Sequence, residues 1–273
     1  MVPLPPTLGD AALLVLGSAD PMEKVRLSRT FAAAWRDGSI REIGRATPPD
    51  RPARPERPEL RPPRDMPKRR KAGSMAGRIA LLHALAHIEL NAVDLAWDIV
   101  ARFHHLPDGT PLPRAFYDDW VRVADEEAKH HALLAERLAD LGASYGDLPA
   151  HDGLWQASEL TSGDLGARLA LVPMVLEARG LDVTPVMIES LVRVGDEAGA
   201  AVLRIIHDEE IGHVAAGKRW FDAVAAAIGA DPQAHWQHLV RTMFRGELKR
   251  PFNEPSRTRA DFPADWYEPL GVG

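Results

Sequence analysis

The sequence predicts an all-α protein. Apolar residues recur at helical spacing from about residue 73 to residue 228, and that stretch has almost no alternating strand pattern. Proline and glycine cluster between the periodic segments, where they favour loops. A chain of 273 residues with 45% hydrophobic content is long enough for one large domain or two small ones. Four long helical segments are predicted, at about 75–104, 114–141, 164–181 and 196–228.

The sequence pattern of residues 1–45 predicts two short helices that precede the main helical body. The second has a clear start, because Asp20 can cap its N-terminus, Pro21 fits the first helical position and Glu23 fits the third. The stretch 47–71 differs in composition, with eight prolines and nine arginine or lysine residues. Such a stretch forms neither a helix nor a central strand. We therefore expect an extended segment that wraps the surface or links the N-terminal part to the body.

The pattern from residue 75 to residue 141 predicts a helical hairpin. Its two segments each have an apolar face, and a loop rich in proline and glycine, 105–113, separates them. Gly142 is a suitable end for the second helix, and 143–163 is expected to be a loop.

The second half of the body predicts a similar hairpin with a break. The segment that begins near Asp164 should stop at Leu181, because Pro185 interrupts the pattern and only a short helix follows. A further helix is predicted at 232–249, and the tail from Pro251 is expected to be irregular. The chain is thus divided into an N-terminal helical appendage with its Pro/Arg-rich segment, a four-helix body, and a C-terminal helix with its tail: 1–72, 73–230 and 231–273.

Composition narrows the possible functions. The net charge of −6 gives no overall attraction to nucleic acid or to an anionic membrane, and the basic stretch 51–71 has no aromatic residue to stack on bases. The absence of cysteine excludes disulfides, thiolate zinc sites, iron–sulfur clusters and cysteine nucleophiles. No apolar stretch approaches the length of a membrane span, and Asp10 precedes the apolar run 11–16 where a signal peptide would have basic residues. A soluble, cytoplasmic protein is expected, without a membrane partner and with nucleic acid disfavoured.

Two segments share the motif Asp-Glu-Glu-x-x-His, 83 positions apart. A glutamate and a histidine three residues apart lie on one face of a helix, so they can hold one metal ion. Two such pairs occupy helix positions at which the periodic pattern predicts apolar residues: Glu127 with His130, and Glu210 with His213. Burial of a carboxylate costs several kcal/mol, which a divalent cation offsets. A shifted register that pairs Glu126 with His130 is an alternative, and the parallel between the two motifs favours Glu127.

Each of the other two long helices carries a glutamate in its apolar seam. These are Glu89 and Glu177, 88 positions apart. Four glutamates and two histidines in this order are the ligand set of a dinuclear carboxylate site in a four-helix bundle. Oxygen ligands with imidazole suit iron or manganese, and zinc would also bind. Two metal ions, roughly 3.5–4 Å apart, are therefore predicted on six ligands: Glu89, Glu127, His130, Glu177, Glu210 and His213.

For some polar residues near these ligands, the sequence leaves more than one structural role possible. Asp94 and Asp182 follow the seam glutamates by five residues. They are either acceptors for the ring N–H of ligating histidines or ordinary surface or interface residues. Arg179, close to Glu177, is a candidate for a buried ion pair. Ordinary helix or core roles are expected for six further residues: His83, His87, His207, Trp97, Trp120 and Trp220. His207 lies one turn before Glu210, so a place beside the site is the alternative for it.

In its ligand order, E…E-x-x-H…E…E-x-x-H, the chain resembles the ferritin-like di-iron superfamily, which includes bacterioferritins, rubrerythrins and the tRNA hydroxylases. It is most similar to a bacterial ferritin-like family defined only as a domain of unknown function. That resemblance covers nearly the whole chain and implies a ferritin-like four-helix bundle with extra terminal helices, but no particular substrate. It is carried by residues 19–27, 78–90, 172–182, 212–213 and 218–221.

The resemblance also implies that a reduced pair of irons reacts with dioxygen or peroxide. The favoured function is a hydroxylase-like oxidoreductase with an electron donor and an unknown organic substrate, small or macromolecular. The alternatives are a metal-stabilised structural or binding protein, and iron storage or detoxification. Storage is disfavoured because the long terminal additions would obstruct a closed multisubunit shell. A monomer or homodimer is therefore expected.

Overall fold

The structure is helical, which confirms the all-α prediction. A computed structural model describes residues 3–62, 65–66 and 73–273. The helices are α1 Leu8–Leu16, α2 Pro21–Arg36, α3 Met75–Arg102, α4 Arg114–Asp140, α5 Gly153–Leu160, α6 Leu165–Leu171, α7 Ala178–Arg193, α8 Glu197–Ala227, α9 Pro232–Met243, α10 Glu254–Arg259 and α11 Ala264–Tyr267. A π-helical turn, Val172–Glu177, lies between α6 and α7, and a 3-10 turn, Glu268–Leu270, follows α11. Two short strands, β1 Leu248–Lys249 and β2 Gly271–Val272, pair in parallel.

The chain divides into two compact units. Unit 1 comprises Met1–His104, Pro113–Gln156 and Ile188–Val202, and unit 2 comprises His105–Leu112, Ala157–Met187 and Leu203–Gly273. The four-helix-bundle arrangement and the three-part division drawn from the sequence remain predictions.

In unit 1, α3 and α4 pack against each other and against the N-terminal helices. Helix α2 begins as the sequence predicts, since the carboxylate of Asp20 accepts a hydrogen bond from the backbone N–H of Glu23. The hydroxyl of Ser28 on α2 accepts from the indole N–H of Trp97 on α3 and donates to the carbonyl of Ala124 on α4. This buried bridge fixes the three helices relative to one another.

Residues 47–62, which the structure describes, contain no helix in this part of the proline-rich segment, and a 3-10 turn follows, in which the N–H of Asp65 donates to the carbonyl of Pro62 at 2.9 Å. The segment is held along unit 1 by backbone hydrogen bonds. The N–H of Ala53 donates to the carbonyl of Leu16 at 2.8 Å, and the N–H of Arg61 donates to that of Ala150 at 2.8 Å. An extended segment is therefore present where the sequence predicts one, while residues 63, 64 and 67–72 lie outside the described residues.

In unit 2, the predicted break at Pro185 is wrong, because α7 continues through it. Proline lacks an N–H, so the carbonyl of Leu181 one turn earlier loses its helical donor. The side-chain amide of Asn253 donates to that carbonyl at 3.0 Å. A partner from the C-terminal tail thus replaces the missing bond, which the local sequence does not show.

Helix α5 lies in the stretch 143–163 that was predicted to be a loop. Its C-terminal end has a tertiary partner: buried Arg168 donates to the carbonyl of Ser158 and to the side-chain hydroxyl of Thr161, both at 2.8 Å. That partner lies outside the stretch itself, so local propensity did not predict the helix.

The C-terminal predictions also need correction. Helix α9 ends at Met243, short of the predicted residue 249, and the tail expected to be irregular contains α10 and α11. Arg257 on α10 is buried and donates two hydrogen bonds to the carboxylate of Asp182. This long-range ion pair orders the tail.

Among the described residues, α3 is long and apolar enough to cross a membrane by length and composition alone. Within the fold, however, 67% of its most apolar window is buried. Burial of this extent fits the core helix of a soluble protein.

Candidate metal centre

The first triad consists of Glu89 on α3 with Glu127 and His130 on α4. Glu127 and His130 are fully buried, and Glu89 is 3% exposed. Nδ1 of His130 lies 3.2 Å from Oε2 of Glu89 and 3.5 Å from Oε2 of Glu127. One potential ligand atom from each residue lies within 4.8 Å of the others, so the three could hold one metal ion.

Helix periodicity and the packing of two helices together produce the first triad. Glu127 and His130 share the face of α4 that also carries buried Trp120 and Leu134, so this face points into the core. Helix α3 packs along it and brings Glu89 to the pair.

Burial changes the proton affinity of Glu89. Loss of solvent is the main cause that raises its pKa to about 8, and the negative charge of Glu127 adds to the rise, whereas His130 opposes it. At neutral pH the cation-free protein therefore holds a proton at this carboxyl. A divalent cation would take the place of that proton and stabilise the ionised carboxylates.

The second triad consists of Glu177, the last residue of the π-helical turn, with Glu210 and His213 on α8. His213 is fully buried, Glu210 is 8% exposed and Glu177 is half-buried. Nδ1 of His213 lies 3.6 Å from Oε1 of Glu210. Ligand atoms from the three residues again lie within 4.8 Å of one another. The second triad is therefore the more accessible of the two.

Buried carboxylates of two kinds occur in the structure. Glu89 and Glu210 have the imidazoles of His130 and His213 as their ionic partners. Oε2 of Glu210 is buried and accepts no hydrogen bond from any residue that the structure describes. In contrast, four buried aspartates pair with lysine or arginine: Asp94 with Lys24 and Arg54, Asp98 with Arg102, Asp182 with Arg257, and Asp196 with Arg137. The glutamates of the triads thus suit a bound cation, since among the described residues the ionic partners of Glu89 and Glu210 are imidazoles and not lysine or arginine.

Glu126 and Glu127 differ in side-chain exposure. Glu126 pairs with Arg122 at 2.8 Å and keeps 22% of its side chain exposed. Glu127 is enclosed beside His130. The structure therefore brings Glu127 to the first triad and leaves Glu126 on the outer face of α4.

The two aspartates whose roles the sequence left open, Asp94 and Asp182, form ion pairs. Asp94 meets Lys24 and Arg54, and Asp182 meets Arg257, so both aspartates connect helices to distant segments. Arg179 lies 3.4 Å from the same Asp182 and donates to the carbonyl of Lys249 at 2.6 Å. His207 lies 3.2 Å from the hydroxyl of Ser256 in the tail.

Sequence reasoning missed a buried histidine–tyrosine cluster in unit 1. Tyr145 stacks on His83 and His87 and meets His131 edge-on. Its hydroxyl lies 2.9 Å from Nδ1 of His87, whose pKa is lowered to about 3, mainly by burial. The neutral rings hold the loop that carries Tyr145 against α3. The spacing of His83 and His87, one helical turn apart, is the signal that could have indicated a shared partner.

Comparison with known proteins gives a family but no activity. The profile of a family described as "Protein of unknown function (DUF455)" matches residues 17–268. A Haemophilus influenzae protein described as uncharacterized is 42% identical over 220 residues, which cover 78% of this chain and 75% of the relative. No solved structure matches the chain. Similarity to a family of unknown function is confirmed, and the wider ferritin-like relationship remains a prediction.

Proposed function

Because this chain belongs to the family described as "Protein of unknown function (DUF455)", we propose its function from the two triads. It is a dinuclear carboxylate protein that holds two divalent cations per chain, one on each triad. The ligands of the first cation are Glu89, Glu127 and His130, and those of the second are Glu177, Glu210 and His213.

The contrast between glutamates and aspartates is the observation that carries this proposal. The four buried aspartates have lysine or arginine partners, whereas Glu89 and Glu210 have imidazoles. A buried carboxylate without a full positive charge beside it costs several kcal/mol. A divalent cation would remove that cost in both triads with the donor types that iron, manganese and zinc accept.

The chain's own residues account for how such cations are held. His130 and His213, both fully buried, provide imidazole nitrogens, and the glutamates provide negative charge. Glu89 must release its proton when a cation binds, so cation affinity should rise with pH. Iron is the favoured metal, with manganese and zinc as alternatives; bound iron would supply redox chemistry toward dioxygen or peroxide.

We further propose that the loaded protein is a hydroxylase-like oxidoreductase that uses an electron donor and an organic substrate. The partial exposure of Glu177 supports this role, because it leaves the second triad within reach of solvent and hence of a substrate. The resemblance to ferritin-like di-iron proteins supports the same chemistry.

The enclosure of the first triad favours a second candidate function. Glu127 and His130 are fully buried, so a cation there would stabilise the fold without meeting a substrate. If both cations act in this way, the protein is a metal-stabilised structural or binding protein.

The metal proposal is tested by preparing the full-length chain free of metal and titrating it with Fe²⁺ without air, and separately with Mn²⁺ and Zn²⁺. Elemental analysis after dialysis should give two ions per chain. Glu127→Gln should lose the first ion and Glu210→Gln the second. Glu126→Gln is the matched control, since Glu126 lies one residue away and pairs with Arg122, and it should bind both. Failure of the wild-type chain to bind any of the three metals would refute the proposal.

Exposure of the Fe²⁺-loaded protein to air separates the candidate functions. Consumption of dioxygen that ends near two irons per chain supports the oxidoreductase. Two tightly bound ions without dioxygen consumption support the structural role. Uptake of many irons per chain supports storage.

A further inference from the structure

The helix that leads to Glu177 contains a π-helical turn, Val172–Glu177, with Pro173 near its start. The backbone N–H after the turn, that of Ala178, donates to the carbonyl of Pro173, five residues back. A proline inside a helix lacks the N–H for the regular bond, and its ring crowds the carbonyl one turn earlier. The irregular turn therefore begins where the regular hydrogen-bond pattern is interrupted by Pro173.

Gly217 on α8 is the residue that faces this proline. A Cβ atom added at Gly217 would lie 2.5 Å from both Cβ and Cγ of Pro173. Carbon atoms in contact are about 3.5–4.0 Å apart, so no side chain fits there. The backbone of α8 therefore rests directly on the proline ring.

The contact between Pro173 and Gly217 lies one helical turn from the second triad on both segments. Pro173 precedes Glu177 by four residues, and Gly217 follows His213 by four. Residues four apart share a helix face. The contact between Pro173 and Gly217 thus lies on the faces of the π turn and of α8 that carry the triad. It fixes the distance between these two segments next to the triad.

We infer that Pro173 and Gly217 are the positioning residues of the second triad, an inference that rests on the proposed metal site. A π turn holds one more residue than an α turn, and each residue of an α-helix turns the chain by about 100°. The turn that Pro173 induces therefore sets the direction in which Glu177 points. Gly217 allows α8 to approach the π turn closely enough for Glu210 and His213 to lie beside Glu177.

Two substitutions test these roles in the full-length, metal-free chain by titration with Zn²⁺ and with Mn²⁺. Gly217→Ala must push Pro173 away by roughly 1 Å to reach ordinary contact. Pro173→Ala restores an N–H and lets the turn relax to a regular α-helix. Loss of support behind a metal ligand typically weakens binding about 10–100-fold. Each variant should therefore bind the second ion at least about 10-fold more weakly, while the first ion stays as in the wild type.

Gly180→Ala is the matched control, because a Cβ at Gly180 meets nothing within 4 Å. It should bind both ions normally. Alanine is a good helix former, so Pro173→Ala should fold even if Gly217→Ala does not. Unchanged affinity for both ions in Pro173→Ala would overturn the inference, as would a lower melting temperature in Gly217→Ala with unchanged affinity. A wild-type chain that binds no metal would instead refute the metal site itself.

Discussion

Raising the pH from 6.5 to 8 should destabilise the metal-free protein through Glu89. Folding raises the pKa of this carboxyl from 4.5 to about 8. In that window the folded state keeps a proton that the unfolded state has released, so the free energy of unfolding falls as pH rises. Buried histidines act in the opposite sense, since the pKa of His87 falls from 6.5 to about 3. At pH 6.5 the unfolded histidine is still about half protonated, so each buried histidine adds about a further 0.4 kcal/mol of stability by pH 8, with or without Glu89.

The size of this fall in stability follows from the single proton that Glu89 keeps in the folded state and releases in the unfolded state. A shift of one pKa unit corresponds to about 1.4 kcal/mol, so the titration of Glu89 alone should lower the free energy of unfolding by about 2 kcal/mol between pH 6.5 and pH 8. Solvent screening removes little of this, because Glu89 is only 3% exposed.

Urea unfolding followed by circular dichroism, in the presence of a chelator, measures this slope. Glu89→Gln keeps the size of the side chain but removes its titration, so its free energy of unfolding should rise slightly across the window because only the histidines titrate. The difference between the wild type and Glu89→Gln therefore isolates Glu89. Glu126→Gln should keep the wild-type slope. Saturating Zn²⁺ should remove the fall that Glu89 causes, because the metal holds the carboxylate ionised. A wild-type free energy of unfolding that changes with pH in parallel with that of Glu89→Gln would refute the reasoning.

Three further outcomes are expected. Chelation should lower the melting temperature, since one cation at 100 times its Kd contributes about 2.7 kcal/mol; an unchanged curve after verified metal removal counts against the cation as the partner of the buried glutamates. Asp94→Asn should cost about 3–5 kcal/mol by leaving the buried ammonium of Lys24 with a neutral partner, and Lys24→Met in the same chain should recover part of the loss in urea unfolding. Light scattering should show a monomer or homodimer, and a shell-sized particle would contradict that expectation.

The sequence alone determined the features that depend on neighbours within one helix. The spacing of Glu127 and His130 places both on one face of α4, whatever that face meets. The same holds for Glu210 and His213 on α8. The start of α2 was predictable for the same reason, because the cap formed by Asp20 involves residues three apart.

Tertiary structure decided which polar residues are neutralised by the protein itself. Asp94 and Glu89 lie five residues apart on one helix, and the sequence left the role of Asp94 open. The fold brings Lys24 to Asp94 across 70 positions, and it brings Arg257 to Asp182 across 75. Contacts over such separations depend on how segments pack, which no local pattern encodes.

The two helical prolines, Pro185 and Pro173, also show what the local sequence determines and what only tertiary structure decides. The helix break predicted at Pro185 was wrong, because the sequence could not show that Asn253 would supply the donor that the proline removes. At Pro173 the helix instead adopts a π turn against Gly217. The local chemistry of proline is the same at both positions. The outcome differs because a different distant residue packs against each, and only the folded chain specifies that residue.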